Sequence, residues 1–239
     1  MRKLKKIIRR MIRREKSDSD SYIVYLRKRG VKIGKNCYIP EPSSVLVDLT
    51  DPWLVNIGDG VTLTHGVVVL THDYGWSVIK KIPSFNGAVL GSQAPVKIGN
   101  NVFIGVNTII TKGVTIGDNT IIGAGSVVSK DCDGNGVYVG SPAKKIMDID
   151  EYAARRKEKQ FCEAKRMVIA YRERFLIDPP REIFKEYFML FSTADDAANI
   201  PEFRSRMETC GNFEETVIYM KSCEPMFASY EEFLENCKS

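Results

Sequence analysis

The chain contains only two histidines, and one of them, His72, ends an aliphatic run in the stretch "VVVLTHDYGW". An irregular stretch that contains aromatic residues follows it. An imidazole exchanges its proton near neutral pH, so it can take a proton from a hydroxyl group while that group attacks an electrophile. His72 is therefore the first residue to consider for chemistry. His65 lies in a more regular stretch, for which we predict a structural or interface role.

The six cysteines are scattered and show no CxxC spacing. This argues against a zinc site and against a disulfide framework, so we expect no metal and a reducing, cytoplasmic compartment. No stretch approaches the roughly 20 consecutive apolar residues of a transmembrane helix. The N-terminus also lacks the apolar region and cleavage site of a secretory signal.

The net charge of +5 is concentrated at the N-terminus. Residues 1–16 hold nine Lys or Arg residues and one acid, so the rest of the chain is net negative. This local basicity argues against nucleic acid as a partner. Aliphatic residues recur in this segment at helical spacing and predict a basic amphipathic helix. Such a helix could lie on an anionic membrane surface or cap an end of the fold, and we favour the cap.

Glycine divides the chain into three zones. Seventeen of the 18 glycines lie between Gly30 and Gly140. We predict an N-terminal helical segment over 1–29, a β domain over 30–147 and a helical C-terminal extension over 148–239. In the extension, "PREIFKEYFMLF" predicts a helix whose aromatic residues share one face and build a small core: Phe184, Tyr187, Phe188 and Phe191.

The middle zone carries a six-residue repeat. An aliphatic residue returns at every sixth position, the next residue is small in most units, and the fourth after it is small or β-branched in most units. A short fixed period predicts a solenoid of parallel strands with the aliphatic side chains stacked inside. The repeat breaks between Val69 and Ile98, so we predict that 73–94 form a loop extruded from the coil. The repeated aliphatic positions are Ile98, Ile104, Ile110, Ile116, Ile122 and Val128.

The stretches "PVKIGNNVFIGVNTIITKGVTIGDNTIIGAGSVVSKD" and "VGSPAKKI" resemble the hexapeptide-repeat acyltransferases, in the branch of maltose, galactoside and polysaccharide O-acetyltransferases. The resemblance covers roughly residues 30–146. It implies a left-handed parallel β-helix with three hexapeptides per turn, a homotrimer with active sites between subunits, and acetyl-coenzyme A as cosubstrate. The handedness comes from the resemblance alone.

The resemblance also implies site residues. A histidine just before the extruded loop, the place of His72, acts as general base toward the acceptor hydroxyl. Asp73 is adjacent to it, but neighbours on a strand point to opposite faces, so we expect Asp48 or Asp51 from the preceding coil to orient His72. The pattern does not choose between them. Backbone amides near Gly105 and Val106 are candidates to stabilise the tetrahedral intermediate. Positions that match the coenzyme A site are Phe103, Gly105, Val106, Ala124, Gly125, Ser129, Lys130, Lys144 and Lys145.

The acceptor is the least determined part. Asp48, Asp51 and the loop residue Trp76 are candidates to bind it, since aromatic rings pack well on sugar faces, although Trp76 could equally anchor the loop. We predict O-acetylation of a sugar or glycan precursor, and a lipid-linked precursor would suit contact with the inner membrane surface. N-acetylation of an amino sugar, or acetylation of serine or an antibiotic, is the alternative. A zinc-dependent carbonic anhydrase would need three histidines, and a non-catalytic scaffold would not need the His72 loop.

Overall fold

The computed structural model describes residues 14–238. The predicted basic helix in residues 1–16 lies almost entirely outside the described residues, so its proposed membrane contact stays a prediction. The chain divides into two compact units, one ending at Tyr152 and one running from Ala153 to Ser239. Between residues 14 and 238, no helix has the length and hydropathy needed to cross a membrane.

The first unit is a coil of short strands. Successive strands along the coil belong in turn to three different sheets. The first sheet has the order β1 (Lys32–Ile33), β3 (Val55–Ile57), β8 (Val96–Ile98) and β11 (Thr115–Ile116). The second has the order β4 (Thr62–Leu63), β9 (Val102–Ile104), β12 (Thr120–Ile122), β14 (Gly136–Gly140) and β15 (Ala143–Asp148). The third has the order β2 (Leu46–Val47), β5 (Val68–Val69), β10 (Ile109–Ile110) and β13 (Val127–Val128).

The strand register explains the six-residue period. Ile98 pairs with Ile116, Ile104 with Ile122, and Ile110 with Val128, all between parallel strands. Each repeat unit thus supplies one strand, and three units complete a turn. These six aliphatic side chains are buried in one continuous core. The predicted repeat therefore corresponds to a coil of parallel strands with aliphatic residues stacked inside.

Small residues occupy the corners because neighbouring coils approach closely there. A Cβ atom on Gly105 would lie 2.5 Å from the backbone nitrogen of Ala124 in the next coil. The asparagines Asn101, Asn119 and Asn135 have positive φ. The Asn101 side-chain amide donates to Oδ1 of Asn119, and the Asn119 amide donates to Oδ1 of Asn135, each at 2.9 Å. Close packing and these hydrogen bonds therefore fix the corner geometry.

We expect Gly105→Ala to lower the free energy of unfolding by about 1–3 kcal/mol, because the added methyl group collides with backbone that cannot move without shifting a coil. Urea unfolding measures the change. Gly91→Ala is the control, since a Cβ atom there meets nothing within 4 Å. Equal unfolding midpoints for the two variants would show that the corner tolerates a side chain.

A helix, α1 (Ser19–Lys28), packs against the N-terminal part of this coil. It contributes Tyr22, Ile23 and Leu26 to the coil's core, and the Ser19 hydroxyl accepts a hydrogen bond from the Ile39 amide at 2.9 Å. The helix ends at Lys28, and Gly30 follows with a φ of 105°. Glycine adopts this conformation without strain, so the chain can turn here into β1.

The predicted interruption of the repeat is a loop with an antiparallel base. β6 (His72–Asp73) pairs with β7 (Ser92–Gln93), in the register His72 to Gln93 and Asp73 to Ser92. Between them lie a short helix, α2 (Trp76–Ile79), and a 3-10 turn, Pro83–Phe85. His72 therefore stands where the coil ends and the loop begins.

The second unit is helical around an aromatic core. Most of helix α3 (Ile149–Phe175) belongs to it, and α4 (Ala194–Asn199), α5 (Pro201–Glu208), α6 (Phe213–Ser222) and α7 (Tyr230–Asn236) follow. The single helix predicted for "PREIFKEYFMLF" is wrong, because the segment forms two 3-10 turns, Arg181–Phe184 and Phe188–Leu190. This arrangement lets Phe184 and Phe191 both contact Phe233, with ring centroids 5.4 and 5.1 Å apart, so tertiary packing overrides local helix propensity.

Candidate active site

The His72 side chain is largely buried and has a carboxylate partner. Its Nδ1 atom lies 2.5 Å from Oδ2 of Asp48, and the two side chains are 15% and 5% exposed. Asp48 directly follows β2, one coil earlier. Of the two carboxylates that the sequence left open, Asp48 is thus the one that contacts the imidazole.

Asp48 is held on both oxygens by the coil itself. The Thr71 amide and hydroxyl donate to Oδ2 at 3.0 and 2.7 Å, and the Thr50 amide donates to Oδ1 at 3.0 Å. Burial alone would raise the pKa of the Asp48 carboxyl, but the hydrogen bonds from Thr50 and Thr71 outweigh it and hold that pKa well below its usual range. An ionised carboxylate only accepts hydrogen bonds, so Nδ1 of the neutral His72 ring must carry the proton and Nε2 is left unprotonated.

Asp51 has a different partner. Its Oδ2 atom accepts a hydrogen bond from Nε2 of Gln93 at 2.5 Å. Gln93 lies opposite His72 on the loop base. Asp51 therefore belongs beside the imidazole and does not orient it.

Aromatic residues extend from His72 into the loop. The Tyr74 ring meets the His72 ring edge-on with centroids 4.8 Å apart, and Trp76 meets Tyr74 in the same way at 6.0 Å. The Lys80 ammonium lies 5.5 Å from the Trp76 ring centroid. Trp76 is half-buried while Tyr74 is 61% exposed. The structure thus places Trp76 in a loop-packing contact, one ring away from the imidazole.

Asp73 faces away from His72 and anchors the loop. Its carboxylate accepts hydrogen bonds from the Gly75 amide at 2.9 Å and the Ser92 hydroxyl at 3.0 Å, and it pairs with Lys112. The Lys112 contact is the main reason that the pKa of Asp73 is lowered to about 2. The carboxylate thus remains ionised in the folded protein well below the pH at which an ordinary aspartate is protonated.

The Asp73 carboxyl carbon should titrate with a midpoint near pH 2 in NMR, and Lys112→Ala should move that midpoint up toward the ordinary value of about 4. Since the folded pKa is depressed, the loop anchor stabilises the fold above about pH 4 and is lost as the pH falls toward 2. Lys97→Ala, which removes an exposed lysine from the coil face, is the control. An unchanged midpoint in Lys112→Ala would mean that the ion pair does not hold the loop.

His65 is separate from this arrangement. Its Nδ1 atom lies 2.8 Å from Oε2 of Glu41, and both side chains are more than half exposed. Its carbonyl accepts the Asn107 amide at 2.9 Å, a contact between coils. The structural or interface role of His65 stays a prediction.

Four of the residues assigned to the cosubstrate meet at one corner. The Gly125 amide donates to the Val106 carbonyl at 2.7 Å, and Gly105 abuts Ala124. The Gly105 amide already donates to the Ile122 carbonyl at 2.8 Å, so it is committed to the coil. Among residues 14–238 the Val106 amide has no hydrogen-bond acceptor, so unlike the Gly105 amide it is free to donate. Phe103 precedes this corner on β9 and is 43% exposed.

The segment that carries Lys144 and Lys145, two of the residues predicted to bind coenzyme A, forms a hairpin. β15 pairs antiparallel with β14, with Lys144 opposite Val139. The Lys145 ammonium lies 2.7 Å from the Asp148 carboxylate. This ion pair raises the pKa of the lysine and gives its charge a partner. Ser129 and Lys130 follow β13 and are exposed, as is Lys144. Lys130 and Lys144 are therefore better placed than Lys145 to meet a phosphate.

Sequence reasoning missed two polar residues at the base of the loop. Thr71 fixes the Asp48 carboxylate, and Gln93 lies across from His72. Thr71 precedes the histidine directly, but nothing in the repeat indicates that it bonds one coil back. Across the described range 14–238, no three His, Cys, Asp or Glu side chains are grouped to hold a metal ion.

Comparison with known proteins gives the class to which this geometry belongs. The family profile for the bacterial transferase hexapeptide (six repeats) matches residues 95–130. Protein CapG of Staphylococcus aureus is 43% identical over 151 residues, which cover 62% of this chain and 81% of that protein. The chain belongs to the hexapeptide-repeat transferases.

Other members of the hexapeptide-repeat transferases match more partially. Galactoside O-acetyltransferase of Escherichia coli (strain K12) is 37% identical over 123 residues, which cover 51% of this chain and 55% of that enzyme. This chain thus spans only about half of that relative. A solved hexapeptide-repeat acetyltransferase from Vibrio cholerae O1 biovar eltor, complexed with acetyl-coenzyme A, is 24% identical with a TM-score of 0.35, covering 50% of this chain and 60% of that one. Both the family and the enzyme class predicted from the sequence, an acetyltransferase, are confirmed.

Proposed function

We propose that the protein transfers an acetyl group from acetyl-coenzyme A to a hydroxyl group of a sugar or glycan precursor, with His72 as general base. The observation that carries the proposal is the buried Asp48–His72 pair at the junction of the coil and the extruded loop. The pair lies in a chain of the hexapeptide-repeat transferases, whose relatives include named O-acetyltransferases.

The proposed reaction is a direct transfer. Nε2 of His72 takes the hydroxyl proton as the oxygen attacks the thioester carbonyl. The tetrahedral intermediate then collapses, the thiolate leaves, and the imidazolium returns the proton to the sulfur. Asp48 keeps the imidazole in the tautomer with a free Nε2 and stabilises the imidazolium while it exists. The Val106 amide is the candidate donor to the oxyanion.

The cosubstrate would lie along the corner of small residues. Gly105, Ala124 and Gly125 leave room for the pantetheine arm. The exposed Phe103 ring lies next to this corner, on the strand that precedes Gly105. Ser129, Lys130 and Lys144 are exposed polar groups near the end of the coil, where a nucleotide phosphate could bind them. In this proposed arrangement the thioester would lie between the coil corner and the acceptor that meets His72.

A homotrimer with a left-handed coil completes the proposal. The outward positions of the third sheet form an aliphatic column in register: Leu46, Val68, Ile109 and Val127. The corresponding column on the first sheet is polar: Lys32, Asn56, Lys97 and Thr115. An aliphatic column left in water is unfavourable, so we assign the third sheet to contact with other copies, which sedimentation of the purified protein can test.

The experiment that tests the function is acceptor-dependent thiol release from acetyl-coenzyme A. The acceptors are mono- and disaccharides, a lipid-linked glycan, amino sugars and serine. We expect release with hydroxyl acceptors of the sugar class, above the rate without acceptor. Release only with amino groups would replace O-acetylation by N-acetylation, and absence of both release and coenzyme A binding would contradict the proposal.

A further inference from the structure

The two strands at the loop base divide their side chains between two faces. Residues directly opposite each other on antiparallel strands project to the same face. Asp73 and Ser92 form one such pair, and their side chains hydrogen-bond at 3.0 Å. His72 and Gln93 form the other pair, so the Gln93 side chain projects to the same face as the candidate base.

On the His72 face, each strand is held by a carboxylate from the preceding coil. Asp48 contacts His72, and Asp51 contacts Gln93, both at 2.5 Å. The atom of Gln93 that faces the carboxylate must be the amide nitrogen, since an ionised carboxylate only accepts hydrogen bonds. Oε1 of Gln93 therefore points elsewhere with its orientation fixed.

Two acceptor atoms remain open beside the base. Within residues 14–238, Oε1 of Gln93 and Oδ1 of Asp51 have no hydrogen-bond donor, and Gln93 is exposed while Asp51 is half-buried. Atoms that only accept hydrogen bonds select a ligand that donates them. A hydroxyl group that neighbours the reacting one on the same molecule would reach this pair while Nε2 of His72 meets the first hydroxyl.

We propose that the Asp51–Gln93 pair binds a second hydroxyl of the acceptor and makes the enzyme selective for diols over single alcohols. This inference rests on the proposed function and adds a specificity-determining role for Gln93. The second hydroxyl donates one hydrogen bond to this pair, and a bond to the Asp51 carboxylate is worth about tenfold or more in discrimination, because a mono-alcohol leaves the pair without a donor.

The test uses trans-1,2-cyclohexanediol and cyclohexanol as acceptors with acetyl-coenzyme A, for wild type, Gln93→Ala, Asp51→Ala and Ser92→Ala. We expect wild type to favour the diol in kcat/KM by about tenfold or more. Gln93→Ala and Asp51→Ala should reduce the diol preference to the statistical factor that remains because the diol carries two hydroxyl groups that can react. The loss should appear mainly as a higher KM for the diol. Ser92→Ala, on the other face of the same strand, should keep the preference.

The outcomes separate this inference from the proposed function. Transfer that depends on His72 but shows the same diol preference in Gln93→Ala and Ser92→Ala would overturn the role of the pair and leave the proposed function standing. A wild type without diol preference would do the same. Transfer to sugars but not to the diol would likewise overturn the diol selectivity alone. Transfer to sugar acceptors that persists in His72→Ala would contradict the proposed function itself.

Discussion

Replacing His72 by alanine is expected to lower kcat for acetyl transfer by about 10²–10⁴-fold, because the acceptor hydroxyl then has no base to take its proton. The dissociation constant for coenzyme A should stay unchanged, since the cosubstrate is assigned to the corner formed by Gly105 and Ala124. Thiol release at saturating acceptor measures the first quantity, and calorimetric titration measures the second.

His65→Ala is the matched control, because it removes the other histidine of the chain from an exposed site. We expect it to retain most of the wild-type kcat. Full activity of His72→Ala would contradict the assignment of the base. Equal losses in both variants would indicate a structural effect on the coil in place of a catalytic one.

Asp48→Asn is expected to lower kcat by about 10²-fold or more, with some loss of stability because the Thr71 amide loses its acceptor. An asparagine whose carbonyl oxygen keeps the Thr50 amide turns its NH2 group toward Nδ1 of His72, which places the ring proton on Nε2 and removes the base. The change should appear in kcat more than in the KM for acetyl-coenzyme A. Single-turnover rates across pH 6–9 distinguish this from slow product release.

The control for Asp48→Asn is the same substitution at Asp118, whose Oδ1 accepts a coil amide from Asn100 at 2.6 Å. Both variants lose a carboxylate that holds backbone, so comparable losses of thermal stability are expected. Only Asp48→Asn should lose activity out of proportion to stability. If both variants lose activity in parallel with stability, Asp48 is a structural residue alone.

The coil could be predicted from the sequence because its period is short and returns after a fixed number of residues. Each aliphatic residue such as Ile104 is buried by the equivalent residues of the coils above and below it, so the spacing alone determines its neighbours. The extruded loop was predictable for the same reason, since it interrupts the period. The handedness of the coil has no comparable signal in the spacing.

The candidate site was predictable only in part. His72 could be found because it is one of two histidines and lies at the break in the repeat. The choice between Asp48 and Asp51 could not be made from the sequence. Both follow β2 closely, and only their side-chain contacts, with His72 and with Gln93, distinguish them. Gln93 was not predicted as a site residue because its position opposite His72 results from the antiparallel pairing of β6 and β7. No periodic pattern in the sequence indicates that pairing.

The helical unit shows where local patterns fail. The segment "PREIFKEYFMLF" has helical spacing of aromatic residues, yet Tyr187 has a φ of −129° and interrupts any continuous helix. Its hydroxyl lies 3.0 Å from Glu163, and Phe184 and Phe191 pack on Phe233. The partners come from distant parts of the chain, so the segment alone does not determine its conformation.

The proposed mechanism requires that Nε2 of His72 be the unprotonated nitrogen of the neutral ring. Nitrogen NMR of histidine-labelled protein tests this most directly, since the chain has only two histidines and His65→Ala assigns the signals. We expect the neutral His72 ring to carry its proton on Nδ1 in wild type and on Nε2 in Asp48→Asn. A wild-type ring protonated on Nε2 would contradict the role of His72 as the base and of Asp48 as the residue that orients it.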